Sequence, residues 1–226
     1  MTLIALARSP REGALRVVRD GRVVTSIALV AVATAISILH TLRFAGEVAV
    51  QDLMFGPERS PIVGVLISAI GRDLTSVVLY LVERSWSAFL VVTAVSPVLF
   101  WILGATAIHA SARLAGLRRP FLPILVLLGF ATGLTRPLAD LPALALGARG
   151  PGAALAGLAG TAALLWLGVL AWHGIRAHYG VAGGPALSIL VVAIVLFYLA
   201  PLTLILLATV AILVAAIVLE YFPGTR

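Results

Sequence analysis

The chain has 226 residues, 62% of them hydrophobic and only 11% charged, with a mean hydropathy of +1.14. Soluble domains average about 45–50% apolar and about 25% charged residues, so the composition excludes a soluble globular enzyme and a disordered chain and leaves an integral membrane protein built mainly of helices. The net charge of +7 comes from 16 basic residues, all arginine, against 9 acids; in a membrane chain this excess reads first as topology, because cytoplasmic loops collect positive charge, and nucleic acid is not an expected partner.

Residues 1–23 carry Arg8, Arg11, Arg16, Arg19 and Arg22 against Glu12 and Asp20. With the short apolar stripe Leu15, Val17, Val18 and Val23, they read as a basic cytoplasmic juxtamembrane segment, suited to a helix lying on anionic lipid. The long charged region, and the lack of a small-x-small cleavage site before Arg43, argue against a signal peptide. The first span is 24–42, long enough at about 1.5 Å per residue to cross a hydrocarbon core of about 30 Å. Residues 43–60 are polar and mixed and read as a loop on the far side.

Segment 61–84 is amphipathic. Val63, Leu66, Ile67, Ile70, Leu74, Val77, Val78 and Leu81 fall at helical spacing, while Ser68, Arg72, Asp73, Thr75 and Ser76 lie largely elsewhere. As a spanning helix it would place Arg72 and Asp73 near mid-membrane, which is expensive unless they are paired; as an interfacial helix it avoids that cost. The second span is 86–112, with Pro97 as an expected kink, followed by Arg113, Arg118 and Arg119. The third, 121–146, is interrupted by Arg136, Pro137, Asp140 and Pro142, so its regular part is expected to end near Leu134. The fourth is 152–172, followed by a polar inner loop holding His173, Arg176 and His178. The last apolar run, 186–219, would be about 51 Å long as one helix. Either it is one kinked span with an extension, or two short spans turning near Pro201; the lack of polar turn residues beyond Thr203 favours the former. Residues 220–226 form a tail.

Charge chooses among these alternatives. With a cytoplasmic amino terminus and an interfacial 61–84, the inner side collects Arg8, Arg11, Arg16, Arg19, Arg22, Arg113, Arg118, Arg119 and Arg176 against two acids. The outer side balances Arg43, Arg59, Arg72, Arg84, Arg136 and Arg149 against Glu47, Asp52, Glu58, Asp73, Glu83 and Asp140. That asymmetry follows the positive-inside rule, and a spanning 61–84 would break it at Arg113–Arg119. The expected fold is all-α, a polytopic transmembrane helical bundle of about five spanning helices plus an interfacial amphipathic helix.

Few side chains point to chemistry. There is no cysteine, which removes disulfides, thiol nucleophiles and thiolate-bound metals. His40, His109, His173 and His178 show no HExxH-type spacing, and His173 and His178 would stand about 140° apart on a helix, so structural or interfacial roles outweigh a metal site. No catalytic, cofactor-binding or metal-ligating residue is assigned, and no cofactor is expected. Arg136 and Asp140 are four apart and can pair on a helix; such a pair is either a structural lock or part of a transport path. Arg113, Arg118, Arg119 and Arg176 form a candidate patch for a lipid phosphate, since arginine matches phosphate geometry; a plain positive-inside rim explains the same residues. Gly152, Ala156 and Gly160 recur every four residues, a small-residue face suited to packing inside the bundle or to a dimer contact.

The stretches VSPVLFWILGATAIHASARLAG (95–116), FLPILVLLGFATGLTRP (121–137) and WLGVLAWHGIRAHYGVAGGPALSILVVAIVL (166–196) resemble the Yip1 family of membrane proteins. Gly129 and Phe130 stand at the family's Gly-aromatic position, Pro137 at its proline, and Ala186 at the small residue that opens the last helix. The resemblance covers about half of the chain. It implies a five-helix bundle with a cytoplasmic amino terminus and supplies no catalytic residue. The long cytosolic amino-terminal region through which eukaryotic members bind Rab GTPases has no counterpart here. The expected function is a non-enzymatic scaffold or membrane-organising assembly factor, with a transporter or channel component, or a lipid-binding subunit of a larger complex, as the alternatives. Its expected partners are the lipid bilayer, anionic lipid, and a second copy or another membrane protein.

Overall fold

The computed structural model describes residues 2–47, 61–147, 150–199 and 202–203. Among these there is no strand, and the chain forms seven helices: α1 (Thr2–Arg8), α2 (Pro10–Asp20), α3 (Val23–Glu47), α4 (Pro61–Leu114), α5 (Leu122–Leu146), α6 (Gly150–Tyr179) and α7 (Gly183–Leu199). Helices α3 to α6 are each long and apolar enough to cross a membrane, so the chain is an all-α, polytopic helical bundle.

Cross-helix contacts give the directions. From α3 to α5 they climb in step, Ser26 with Val126, Leu29 with Gly133, Ser37 with Arg136, His40 with Asp140 and Arg43 with Leu144, so these helices run parallel. Contacts from α4 to α5 run in opposite senses, Trp101 with Leu125 and Ser96 with Arg136. Helix α7 runs against α4, with Ile189 beside Ser111 and Phe197 beside Phe100. The five helices therefore alternate. α5 sits in the middle, with Ile124 and Leu127 fully buried.

Prolines shape the interior without ending the helices. Pro97 lacks an amide proton, which frees the Thr93 carbonyl one turn earlier. Ser37 Oγ of α3 donates to that carbonyl at 3.1 Å and Ser96 Oγ at 2.7 Å, as a low-polarity interior demands. Helix α5 likewise continues through Pro137 and Pro142 to Leu146, past the expected end near Leu134. Helix α3 continues to Glu47 rather than ending at residue 42, because Arg43 Nε donates to Glu47 Oε1 at 2.5 Å and its Nη1 to the Leu144 carbonyl.

The boundary expected between segment 61–84 and the span 86–112 falls inside a helix, and α4 instead comprises two helices that meet at a kink. Its only non-helical residue is Gly71, at φ 80 and ψ 168, a conformation open to glycine. Beyond that break, Arg72–Leu114 would measure about 65 Å at 1.5 Å per residue, about twice the membrane core. The 61–84 segment thus does not fold back as an additional antiparallel span. The inner loop expected at 173–185 is also mostly helical. Only residues 180–182 separate α6 from α7, so His173, Arg176 and His178 lie on α6.

The amino-terminal segment packs on protein rather than lying free on lipid. α1 and α2 form a hairpin against the ends of α5 and α6. Leu6, Ala14 and Val17 are buried, whereas Leu15 of the expected stripe is exposed. A Cβ on Gly13 would fall 2.3 Å from Leu6 Cα, so the two helices touch backbone to backbone. Residues 200–201 and 204–219 of the last expected span, including the expected kink or turn at Pro201, the tail 220–226, Arg149 and most of the far-side loop (48–60) lie outside the described residues.

Candidate functional site

Among the described residues, a charged centre is built on α5 where it meets α3 and α4. One helical turn separates Arg136 from Asp140, and their closest atoms are 3.5 Å apart; the pairing expected from their spacing is present. Arg136 Nη2 also donates to Ser96 Oγ of α4 at 2.8 Å and to Ser37 Oγ of α3 at 3.4 Å. His40 Nδ1 of α3 stands 3.9 Å from Asp140 Oδ1, within ion-pair range but beyond a hydrogen bond. The Asp140 side chain is 6% exposed, those of Arg136 and His40 21% and 22%. An uncompensated charge at such burial would be costly, and here each is matched by a neighbour on another turn or another helix.

The matching is incomplete. Asp140 Oδ2, Arg136 Nε, His40 Nδ1 and Thr132 Oγ1 are buried with no hydrogen-bond partner among the described residues. Beside them lies a cavity of about 30 Å³ lined by Phe100, Thr135, Arg136, Ala139, Gly160 and Ala163 among others, room for about one water. It shares Phe100, Leu164 and Leu167 with an apolar groove of about 350 Å³ that continues between α4, α6 and α7. The Arg136 guanidinium lies 6.0 Å over the Phe100 ring. Arg43 and Glu47 close the end of the α3–α5 seam: a Cβ on Gly147 would meet Glu47 Oε2 at 3.0 Å.

Helices α3 and α5 approach closely at two glycines of α5. A Cβ on Gly129 would fall 1.8 Å from Ser26 Oγ, and one on Gly133 2.6 Å from Leu29 Cβ, so α3 and α5 meet at this pair. Gly160, by contrast, has nothing within 4 Å of a Cβ, Gly152 touches only Leu146 just before it in the chain, and Ala156 is buried. Gly129 and Gly133 form a GxxxG spacing in an apolar helix, a readable signal for close packing that the sequence reading passed over.

At the other end of the bundle, the four arginines of the candidate phosphate patch divide. Arg176 stacks on Trp172, with Cζ 4.9 Å from the ring centroid, and shares the electrostatic surroundings of His173 with Arg11. Arg113 lies in electrostatic reach of His109 and Tyr179, and Arg119 in that of His178. Arg118 is exposed. No group of three His, Asp or Glu among the described residues is placed to hold a metal ion.

No family model matches the chain, and no curated protein or solved structure does. What is established is a multi-spanning helical membrane architecture.

Proposed function

We propose that the chain is a non-enzymatic scaffold or membrane-organising factor of Yip1-like build, seated in a prokaryotic cell membrane with its amino terminus in the cytoplasm. The observation that carries this reading is where the interior charges direct their bonds. Arg136 joins Asp140, Ser96 and Ser37, tying α3, α4 and α5 together, and the cavity beside it has room for no more than about one water. A centre of this kind fixes helices relative to one another and leaves the bundle's outer faces for lipid and partners. The orientation is supported by the hairpin end of the bundle, where nine arginines face only Glu12 and Asp20. The test is gentle extraction of the tagged protein from native membranes, with identification of what accompanies it in fixed ratio. A stoichiometric protein partner is expected; a lone protein or a homo-oligomer holding only lipid would count against the scaffold.

A second reading, a carrier, is favoured by the four unpartnered atoms around Asp140 and His40, since intramembrane ionisable groups are common in proton and ion paths. Purified protein in liposomes that collapses a proton gradient, and loses this with Asp140→Asn, would establish it over the scaffold.

A further inference from the structure

Five of the thirteen described arginines have a carboxylate or an aromatic ring to hold, and eight, Arg113 and Arg119 among them, do not. Arg43 pairs with Glu47, Arg136 with Asp140 and Arg19 with Asp20, while Arg84 lies over Tyr80 and Arg176 over Trp172. Arg113 and Arg119 differ. They flank the α4–α5 connector: Arg113 stands one turn past His109, whose Nδ1 meets the Tyr179 hydroxyl, and Arg119 precedes Pro120, whose carbonyl meets His178, and no carboxylate is paired with either among the described residues.

The connector is held at both ends. At the end of α4, Leu117 N–H donates to the Ala112 carbonyl at 2.9 Å and Gly116 N–H to the Arg113 carbonyl at 3.0 Å, closing the helix and fixing the chain's exit. His178 Nε2–H donates to the Pro120 carbonyl at 2.9 Å and ties the connector's other end to α6. His178 and Tyr179 are both buried. Tyr179 and His109 Nδ1 stand 3.1 Å apart; with the phenol donating, the imidazole keeps its proton on Nε2 and offers a second kind of donor. His109 also packs edge-on against Phe121. Two exposed cations on a backbone fixed at both ends, donor side chains beside them and no paired carboxylate make an arrangement suited to an anion.

We infer that Arg113 and Arg119, with the His109–Tyr179 pair and His178 holding the connector, form a binding site for a phosphate group at the hairpin end of the bundle. Guanidinium forks match phosphate oxygens in charge and geometry. The phosphate belongs either to an anionic phospholipid headgroup or to a soluble phosphate compound. The inference is independent of the scaffold reading, since a carrier could hold the same site.

The test uses the full chain in nanodiscs. Native mass spectrometry would count phosphatidylglycerol retained against phosphatidylcholine, and thermal shifts would be recorded with inorganic phosphate. Arg113→Gln with Arg119→Gln is compared with Arg8→Gln with Arg16→Gln, which removes the same charge from the same end. The site predicts that the first pair weakens phosphate-group binding by about tenfold or more, as loss of charge-assisted hydrogen bonds does, while the second pair does not. Retention of phosphatidylglycerol lost only in the first pair assigns a lipid headgroup. A phosphate-induced shift lost only in the first pair, without lipid preference, assigns a soluble phosphate. Equal loss in both pairs, or in neither, overturns the site. Arg113→Lys with Arg119→Lys guards against misfolding: it keeps the charge and should recover part of the binding.

Discussion

Ser37 on α3 donates its hydroxyl to the Thr93 carbonyl on α4, the one backbone acceptor that Pro97 leaves without its helical amide. The same serine oxygen receives Arg136 Nη2 from α5. One small side chain thus links three helices, and it can do so because a proline opened the middle one.

A double-mutant cycle isolates this link. Ser37→Ala should cost about 0.6 kcal/mol or more, the mean for side-chain hydrogen bonds measured within a membrane protein. In a Pro97→Ala background the restored amide takes the Thr93 carbonyl, and the cost should fall to what remains from Arg136. Equal costs in both backgrounds, measured by reversible unfolding in mixed micelles, would show that the proline does not create the bond.

The Arg136–Asp140 pair should behave as a matched unit. Asp140→Leu alone leaves a buried guanidinium and should destabilise by about 3–5 kcal/mol, whereas Arg136→Leu with Asp140→Leu should recover most of that loss. The cycle is read from thermal unfolding in detergent. Additive single-site effects would mean that the two charges do not depend on each other.

Packing predicts opposite fates for two sets of glycines. Gly133→Val must displace Leu29, and its overpacking should cost about 1–3 kcal/mol. Gly157→Val faces open space and should leave stability unchanged. If the face beside it joins two copies, the same substitution lowers the oligomer fraction in size-exclusion chromatography with light scattering, which separates a dimer face from a lipid-facing one.

At Gly71, alanine should be strained by about 1–3 kcal/mol at a positive φ with extended ψ and should draw α4 toward one continuous helix. The absence of native cysteine allows spin labels at Ile67→Cys and Val78→Cys. The distance between them should change when Gly71→Ala is added, and an unchanged distance would place the break elsewhere.

Much of this bundle is legible in the residues, because lipid forces the backbone into helices and length then marks the spans. The Arg136–Asp140 pair was also readable, since both sit on one helix at the spacing that brings side chains together. His40, Ser37 and Ser96 were not. They join that pair from α3 and α4, and nothing local tells a serine which foreign carbonyl or guanidinium it will meet. The break at Gly71 was hidden for a related reason. Glycine permits a left-handed residue without requiring one, so the apolar period continues on either side. The amino-terminal stripe was legible as apolar, with Val17 buried and Val18 and Val23 against the core while Leu15 is exposed, but what it covers was not, because apolar residues at helical spacing look the same whether they cover lipid or the ends of α5 and α6.

In the proposed scaffold the charged centre is a structural lock rather than a water-lined path. Ala163 is buried on α6 and lines the cavity beside Arg136; Gly46, near the end of α3, is exposed. In this cysteine-free chain, Ala163→Cys and Gly46→Cys can be treated separately with a charged, membrane-impermeant thiol reagent. The lock predicts labelling of residue 46 and none of residue 163 in folded protein. Labelling of residue 163 at a comparable rate would show water reaching Arg136 and Asp140 and would contradict the account in favour of a carrier.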